Sequence, residues 1–341
     1  MSVRRGLLSL SITLALAGSN AACGDDTQGS RNWPFPAAVL PAPAGTWPQY
    51  RLDANHQGLS PLGTGFGADL ALAWQSGPHG IGIYSASKSS PAVDVDRVYV
   101  GVDDGQLLAL DRRDGTVAWR FQSRRYQVER ETTDSAGAHL GIHGSPAVDD
   151  RNVYIGDYSG WLYAIDKLSG ALVWESQLGG SIGASPVLLG DFLFIAVEYP
   201  VPDGKVFVLR AQTGEVVWSS SSLGDHPHSS VSIDAASGLL FVGANNGVLF
   251  CFDYVRGRQQ WSYPTGGAIK STAAVVGDTV YFTSWDGKLY GILSATGEKR
   301  LELATTAASM SSPSVHEDLV FFGSDDGLLL PCEKVLDDVF I

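Results

Sequence analysis

An internal repeat of about forty residues constrains this chain more than any other feature of its sequence. Residues 89–121 align almost position by position with a copy that begins at residue 144, and further copies begin at residues 184, 229, 270 and 311. Each of the six units contains a glycine suited to a tight turn, at Gly105, Gly160, Gly204, Gly247, Gly287 and Gly327. Successive glycines are mostly 40 to 44 residues apart, which is the period of a four-stranded β-propeller blade.

The internal pattern of each unit agrees with that period. The first unit contains four short β-rich runs, SPAV, RVYVGV, QLLALD and TVAWRF, joined by turn sequences such as DDG. We name these runs strands A to D, from the inside of the propeller outwards. The repeat therefore predicts an all-β fold, a β-propeller built from four-stranded blades with six repeat units.

Composition excludes several other classes of protein. The 341 residues include 40 glycines and nine tryptophans but only 17% charged residues, which is too apolar for a disordered chain and too rich in turns for a helical one. The net charge of −13 leaves no basic surface for nucleic acid. With three cysteines in the whole chain, a disulfide framework is also excluded.

The two ends of the repeat region suggest how the ring closes. The sixth unit has strands A to C, but Pro331 then stands where a strand residue is expected and no fourth strand follows. Trp74, in the run LALAWQS, resembles an isolated strand D. We expect the Trp74 strand to complete the last blade and close a six-bladed ring. The alternative is a seven- or eight-bladed propeller with a shortened C-terminus.

Tryptophans recur on strand D. All but Trp74 lie four residues after a glycine and ten residues after a small or medium-sized residue on strand C, so we expect each of these indoles to pack over that gap. Burial of such a large side chain makes it a core residue and not a ligand platform. The predicted structural ladder comprises Trp74, Trp119, Trp174, Trp218 and Trp261.

These spacings resemble a known repeat family. Ala109, Asp111, Gly115 and Trp119 form an A-x-D-x-x-x-G-x-x-x-W pattern, which together with the SPAV starts resembles the PQQ-like (pyrroloquinoline-quinone-like) propeller repeat. That family includes quinoprotein alcohol dehydrogenases and the propeller lipoprotein of the outer-membrane β-barrel assembly machinery. The resemblance covers residues 47–333. The resemblance implies the fold but not the function, because one propeller architecture hosts many activities.

The first 46 residues indicate export. Arg4 and Arg5 precede an apolar stretch, and small residues then lead to Cys23, so residues 1–23 are predicted to be a signal peptide. The segment resembles a bacterial lipoprotein signal, in which Cys23 is lipidated; the alternative is ordinary cleavage after Ala21 or Ala22. Residues 24–46, with four prolines, are predicted to be a tether, and residues 47–341 a single propeller domain. We expect the periplasmic face of the outer membrane if the chain is lipidated, and otherwise a periplasmic or secreted protein.

The connections that lead into strand A predict where a binding site lies. The residues two positions before each strand-A serine or its equivalent should surround one opening of the propeller. Among them, Lys88, His143, His228 and Lys270 are candidates for binding an anionic small molecule. A transition-metal site would instead use His139, His143, His226 and His228. The alternative to both is a solvated polar rim around a water-filled channel.

These features favour binding over catalysis. In the family that the chain resembles, the dehydrogenases have a pair of adjacent cysteines. This chain has no adjacent cysteines, so no catalytic residues and no cofactor are predicted. We expect a non-enzymatic binding or scaffolding propeller of the bacterial envelope whose partners are envelope proteins, with membrane contact only through a lipid anchor. The connection over residues 123–143 is the first candidate for partner contact. The alternative is a small-molecule propeller that binds an anion or a PQQ-like quinone, or a reduced quinoprotein.

Overall fold

The computed structural model describes residues 48–56, 72–77, 79, 89–124 and 141–333. Within these residues the chain forms 23 β-strands in six antiparallel sheets. Each sheet corresponds to one sequence repeat, and neighbouring strands in a sheet are consecutive in the chain. This order is the meander of a propeller blade, so the predicted six-bladed, all-β propeller is confirmed.

The strand bounds follow the four runs of each repeat. The first three blades contain β1 (Ala92–Val93), β2 (Arg97–Gly101), β3 (Gln106–Asp111) and β4 (Val117–Gln122); β5 (Ala147–Val148), β6 (Asn152–Gly156), β7 (Trp161–Asp166) and β8 (Leu172–Gln177); and β9 (Val187–Leu189), β10 (Phe192–Tyr199), β11 (Asp203–Arg210) and β12 (Val216–Ser219). The last three contain β13 (Ser232–Asp234), β14 (Leu239–Gly243), β15 (Val248–Asp253) and β16 (Arg258–Pro264); β17 (Ala274–Val276), β18 (Thr279–Ser284), β19 (Lys288–Leu293) and β20 (Lys299–Ala304); and β21 (Ser314–His316), β22 (Leu319–Gly323) and β23 (Leu329–Glu333).

A chain of hydroxyl groups joins the inner ends of the blades. The serine or threonine that precedes strand A in one blade accepts a hydrogen bond from the equivalent backbone amide of the blade before it. The five bonds, 2.9 to 3.0 Å long, run from Ser90 N to Ser145 Oγ, Ser145 N to Ser185 Oγ, Ser185 N to Ser230 Oγ, Ser230 N to Thr272 Oγ1 and Thr272 N to Ser312 Oγ. The recurrent serine of the repeat therefore sets the contact between inner strands.

The N-terminal segment, residues 48–56, lies against the inner strands of several blades. Its oxygen atoms accept hydrogen bonds at one equivalent position of blades two to five: from Val148 N to Pro48 O, Leu188 N to Gln49 Oε1, Ile233 N to Ala54 O and Val275 N to Asn55 O. Arg51 Nη1 donates to Ser312 O in the sixth blade at 2.8 Å. The inner strand is an edge of each sheet, so the amides on its outer side have no neighbouring strand to bond and need such partners. The segment therefore occupies axial space that the sequence suggested to be a water-filled channel.

The tryptophans of strand D join neighbouring blades. Each indole Nε1 donates to a backbone carbonyl in the next blade: Trp119 to Lys167, Trp174 to Ala211, Trp218 to Gly257 and Trp261 to Ser294, at 2.8 to 3.1 Å. The strand-C partner predicted from sequence is opposite each indole, as in the pairing of Ala164 with Trp174. The indole also covers a glycine of the next blade. At Gly214, where φ is +71°, a Cβ would lie 2.5 Å from Trp174 Cε3.

The last blade and Trp74 show how the repeat ends. Trp74 contacts the first blade as the other indoles contact theirs, with Nε1 2.8 Å from Arg112 O and its ring against Gly115. Residues 72–77 around it form no strand, and the sixth sheet has three strands among the residues that the structure describes. In the fifth blade Leu301 replaces the tryptophan and packs against a core cluster that Leu330 and Cys332 of the sixth blade also contact.

Several sequence predictions lie outside the described residues. They are the signal peptide with Cys23, the tether over residues 24–46, Lys88, His139 and most of the connection over residues 123–143. No helix in the described part of the chain has the length and apolar character needed to cross a membrane. The two later cysteines are free thiols, Cys251 in the core and Cys332 partly exposed.

Candidate functional site

Two residues from each blade surround one end of the axial space, which we call the mouth. The lead-in residue lies two positions before the serine or threonine of the hydroxyl chain, and the turn residue lies where the chain reverses after the second strand. Inner strands of neighbouring blades contact each other, so both positions lie close to the axis. The described lead-in residues are His143, Gly183, His228, Lys270 and Met310, and the turn residues are Asp103, Tyr158, Glu198, Asn245, Trp285 and Asp325.

Backbone hydrogen bonds fix this arrangement in the same way around the ring. The amides of five of the six turn residues donate to the carbonyl two positions before the lead-in residue of their own blade: Tyr158 to Gly141, Glu198 to Ser181, Asn245 to His226, Trp285 to Ala268 and Asp325 to Ala308. A further bond, such as Ile142 N to Val102 O at 3.2 Å, joins the lead-in of one blade to the turn of the previous blade. Side chains at the mouth therefore stand on a rigid backbone frame.

His143 lies between the turn residues of the first and second blades. Its ring centroid is 4.5 Å from that of Tyr158, and its Nε2 is 3.8 Å from Oδ1 of Asp103. Both His143 and Asp103 are only 7% exposed. This part of the mouth is therefore a buried histidine and carboxylate pair under an aromatic ring.

Two histidines and a glutamate meet between the third and fourth blades. Nδ1 of His228 is 3.1 Å from Oε1 of Glu198, and the rings of His226 and His228 are nearly perpendicular, 6.0 Å apart. Glu198 is buried, with 7% of its surface exposed, whereas the two histidines are partly exposed. One ligand atom from each of the three residues lies within 4.8 Å of the others. These are residue types that bind divalent transition metals.

The part of the mouth formed by the fifth and sixth blades has a different character. The Lys270 ammonium lies 3.9 Å from the centroid of the Trp285 ring, a cation–π contact. Trp285 is 44% exposed and Met310 is 47% exposed. An exposed indole and an exposed methionine at the same end of the ring are suited to contact with another protein, because such residues are common in binding surfaces.

The structure separates the candidates that the sequence grouped together. His143, His228 and Lys270 all stand at lead-in positions, each beside an acidic or aromatic turn residue. Within the described ranges, the histidines close enough to share one ion are His226 and His228, and His143 is not among them. Lys88 and His139 are not described, so their part in the anion and metal predictions stays open.

Sequence reasoning missed the turn residues. Asp103, Tyr158 and Trp285 each lie two positions before the turn glycine of their repeat, so this spacing could have identified them. Glu198 breaks the rule and lies six positions before Gly204, because β10 and β11 form a longer hairpin in which Glu198 pairs with Gly204. No local signal in the sequence marks Glu198 as a residue of the mouth.

Comparisons with known proteins agree with this architecture. The chain is 27% identical to the outer membrane protein assembly factor BamB of Yersinia pestis over 228 residues, which is 65% of this chain and 54% of that protein. It is 29% identical to the 1-butanol dehydrogenase (quinone) of Thauera butanivorans over 170 residues, or 46% of this chain and 25% of that enzyme. The chain spans about half the length, or less, of these relatives.

A solved structure and a family model complete the comparison. The crystal structure of BamB from Moraxella catarrhalis matches with a TM-score of 0.60 at 20% identity, covering 76% of this chain and 74% of that one, which supports the fold. The sequence model of the PQQ-like repeat family described as outer membrane protein assembly factor BamB matches residues 82–178 and 127–333, which include all six blades. The chain therefore belongs to this family of PQQ-like propellers.

Proposed function

We propose that the chain is a non-enzymatic binding propeller of the bacterial envelope that takes part in the assembly of outer-membrane proteins. The observation that carries the proposal is the family match across all six blades, together with relatives named as assembly factors. Similarity between parts of chains does not transfer a whole activity, so the proposal needs support from the surface of this chain.

The mouth supplies that support. Segment 48–56 occupies axial space between the inner strands, so the mouth is backed by protein. Its exposed Trp285 and Met310 offer apolar surface on a rigid frame, with Lys270 against the ring of Trp285. Exposed aromatic residues of this kind dominate the energy of protein interfaces when a partner buries them. We therefore assign the fifth and sixth blades of the mouth to partner contact.

The experiment is deletion of the gene in its own bacterium followed by quantification of outer-membrane proteins. We expect lower amounts after deletion, recovery with the wild-type gene and weaker recovery with Trp285→Ala. Leu168→Ala is the matched control, because Leu168 is an exposed apolar residue in the turn between strands C and D of the second blade. Unchanged outer-membrane protein levels after deletion would refute the proposal.

Membrane attachment through Cys23 is a separate part of the proposal. Several acyl chains hold a protein firmly on a membrane, whereas one chain holds it only marginally. In a bacterium that processes lipoproteins, the wild-type protein should sediment with membranes and Cys23→Ser should remain in the soluble fraction of the envelope. Equal release of both proteins would exclude the anchor and leave ordinary cleavage as the route of export.

A small-molecule function is the second candidate. The similarity to a protein named as a quinone-dependent dehydrogenase favours it, as does Lys270 at the mouth, and the sequence adds Lys88 as a second cationic candidate. Calorimetry with a quinone acid and other polycarboxylates should then show binding that weakens with salt, because exposed charges are screened. The double variant Lys88→Ala and Lys270→Ala should abolish that binding. Equal binding by the variant would place any anion site elsewhere.

A further inference from the structure

We propose that Glu198, His226 and His228 bind one divalent transition metal ion, of the Zn²⁺ type, at the mouth between the third and fourth blades. This site is independent of partner contact at the fifth and sixth blades. It uses two of the histidines that the sequence offered as ligands, adds a glutamate from a different blade and leaves out His143.

The spacing of the ligand atoms fits such an ion. Around tetrahedral Zn²⁺, nitrogen and oxygen ligands lie about 2.0 to 2.2 Å from the metal, so neighbouring ligand atoms are roughly 3.3 to 3.5 Å apart. His228 Nδ1 and Glu198 Oε1 are already 3.1 Å apart, and the third ligand atom lies within 4.8 Å of both. Small side-chain rotations would bring all three atoms to one ion, with a fourth position left for water or a ligand.

Glu198 supplies the strongest indication that a cation belongs there. Its Oε1 is buried and accepts no well-formed hydrogen bond among the described residues, although Nδ1 of His228 lies 3.1 Å away. A buried carboxylate oxygen without a donor is costly, and bound metal is one of the few ways to satisfy it. The backbone of Glu198 cannot move away easily, since its amide donates to Ser181 O at 2.9 Å and the residue pairs with Gly204.

The histidines are held in position by their backbone and by a carbonyl group. His226 Nε2 lies 2.7 Å from Tyr199 O, so this nitrogen carries the proton and the lone pair of Nδ1 is free for a metal. Pro227 separates the two histidines, and its ring packs where a Cβ on Gly204 would clash. The histidine backbone is therefore restrained on both sides, by the fixed φ of proline and by the amide of Asn245 on His226 O.

The ligand types select the class of metal. Two imidazole nitrogens and one carboxylate suit Zn²⁺ and its neighbours in the first transition row, whereas Ca²⁺ and Mg²⁺ prefer oxygen ligands only. The closest alternative is a simple ion pair between His228 and Glu198, which needs no metal and does not involve His226. The two possibilities differ in whether His226 contributes.

The test is calorimetric titration of the full mature protein with ZnCl₂ after treatment with a chelator. We expect one Zn²⁺ per chain, with at least about tenfold weaker affinity in His226→Ala, in His228→Ala and in Glu198→Gln, since each removes one ligand. The controls are His143→Asn at the mouth and His316→Ala on the surface, which should bind as the wild type does. Absence of binding, or binding that survives all three ligand substitutions, would overturn the site.

Cobalt provides a second measurement if a variant fails to fold. Co²⁺ added to the wild-type protein should give the visible absorption of a four- or five-coordinate site with nitrogen and oxygen ligands, and addition of one equivalent of Zn²⁺ should remove it. A spectrum that matches hexaaquo Co²⁺ would refute the proposal without any variant. Loss of outer-membrane protein assembly is not a readout here, so failure of this site leaves the proposed function untouched.

Discussion

Trp174 and Trp285 show what the same residue type does in the seams between blades and at the mouth. Trp174 lies between two blades, covers Gly214 and donates from its indole nitrogen to Ala211 O at 2.8 Å. Trp285 stands on a turn, 44% exposed, with Lys270 against one face of its ring. The first is held between two blades with only part of its ring exposed, whereas the second keeps one exposed side for a partner. Position in the repeat, and not residue type, separates the two roles.

Two histidines repeat this contrast. His56 of segment 48–56 is fully buried, and its ring nitrogens face the carbonyl groups of Val231 and Tyr50 at 2.7 and 3.0 Å. His228 at the mouth is partly exposed and faces the carboxylate of Glu198. His56 thus lies among backbone carbonyl groups, one of which accepts the single N–H of its neutral ring, while His228 faces a side-chain carboxylate. The following experiments test this division, from the largest expected effect to the smallest.

Trp174→Ala should destabilise the protein most. Loss of a large, mostly buried aromatic side chain costs about 3 to 5 kcal/mol of unfolding free energy, because it removes apolar contact and leaves a cavity. Denaturant titration measures the change. Val173→Ala is the control, because Val173 is the next residue along the same strand and is 49% exposed. Equal losses in the two variants would show that the indole is not a seam residue.

His56 should make stability depend on pH. Burial lowers the pKa of His56 to about 4, below its ordinary value of 6.5. The folded state therefore holds the imidazole neutral while the unfolded chain takes up a proton below pH 6.5, so stability is full above that pH and declines towards pH 4. The difference corresponds to about 3 kcal/mol at 1.36 kcal/mol per unit.

Denaturant titrations at several pH values test this dependence. His56→Gln should flatten the curve between pH 6.5 and pH 4, whereas His316→Gln, on the surface, should leave its shape unchanged. A wild-type curve without a slope in that range, or a slope that persists in His56→Gln, would contradict the buried neutral state.

Ser230→Ala should have an intermediate effect. Ser230 Oγ accepts the amide hydrogen of Ser185 in the buried hydroxyl chain, and its removal leaves that amide without its partner. Such a loss costs about 1 to 3 kcal/mol. Ser221→Ala, at an exposed position nearby, should change the unfolding free energy by less than about 0.5 kcal/mol. A neutral Ser230→Ala would mean that the hydroxyl chain is not needed to hold the inner strands.

Trp285→Ala should have the smallest effect on stability and the largest effect on binding. We expect a change below about 1 kcal/mol in unfolding free energy, because the ring is half exposed. Photo-crosslinking from position 285 in intact envelopes should capture a partner protein that position 168 does not capture. A large loss of stability would show that Trp285 is a packing residue, as Trp174 is, and not a free surface residue of the mouth.

The sequence alone determined the blades and their internal order. The repeat places an A-strand serine, a turn glycine and a D-strand tryptophan at nearly constant spacing, so antiparallel neighbours follow from local turns. The glycines of five of the six B–C turns have φ between +75° and +88°, as the turn sequences require, at Gly105, Gly160, Gly247, Gly287 and Gly327. The exception is Gly204, where the longer third hairpin replaces the tight turn.

Only the tertiary structure decided which residues meet across blades. Trp174 touches Gly214, forty residues away in the next blade, and segment 48–56 reaches inner strands that lie up to 263 residues further along the chain. Glu198 and His228 approach each other because the third hairpin is longer than the others and because the ring sets its turn beside the next lead-in. These contacts depend on how six similar sheets pack round one axis, and a local sequence pattern carries no information about that packing.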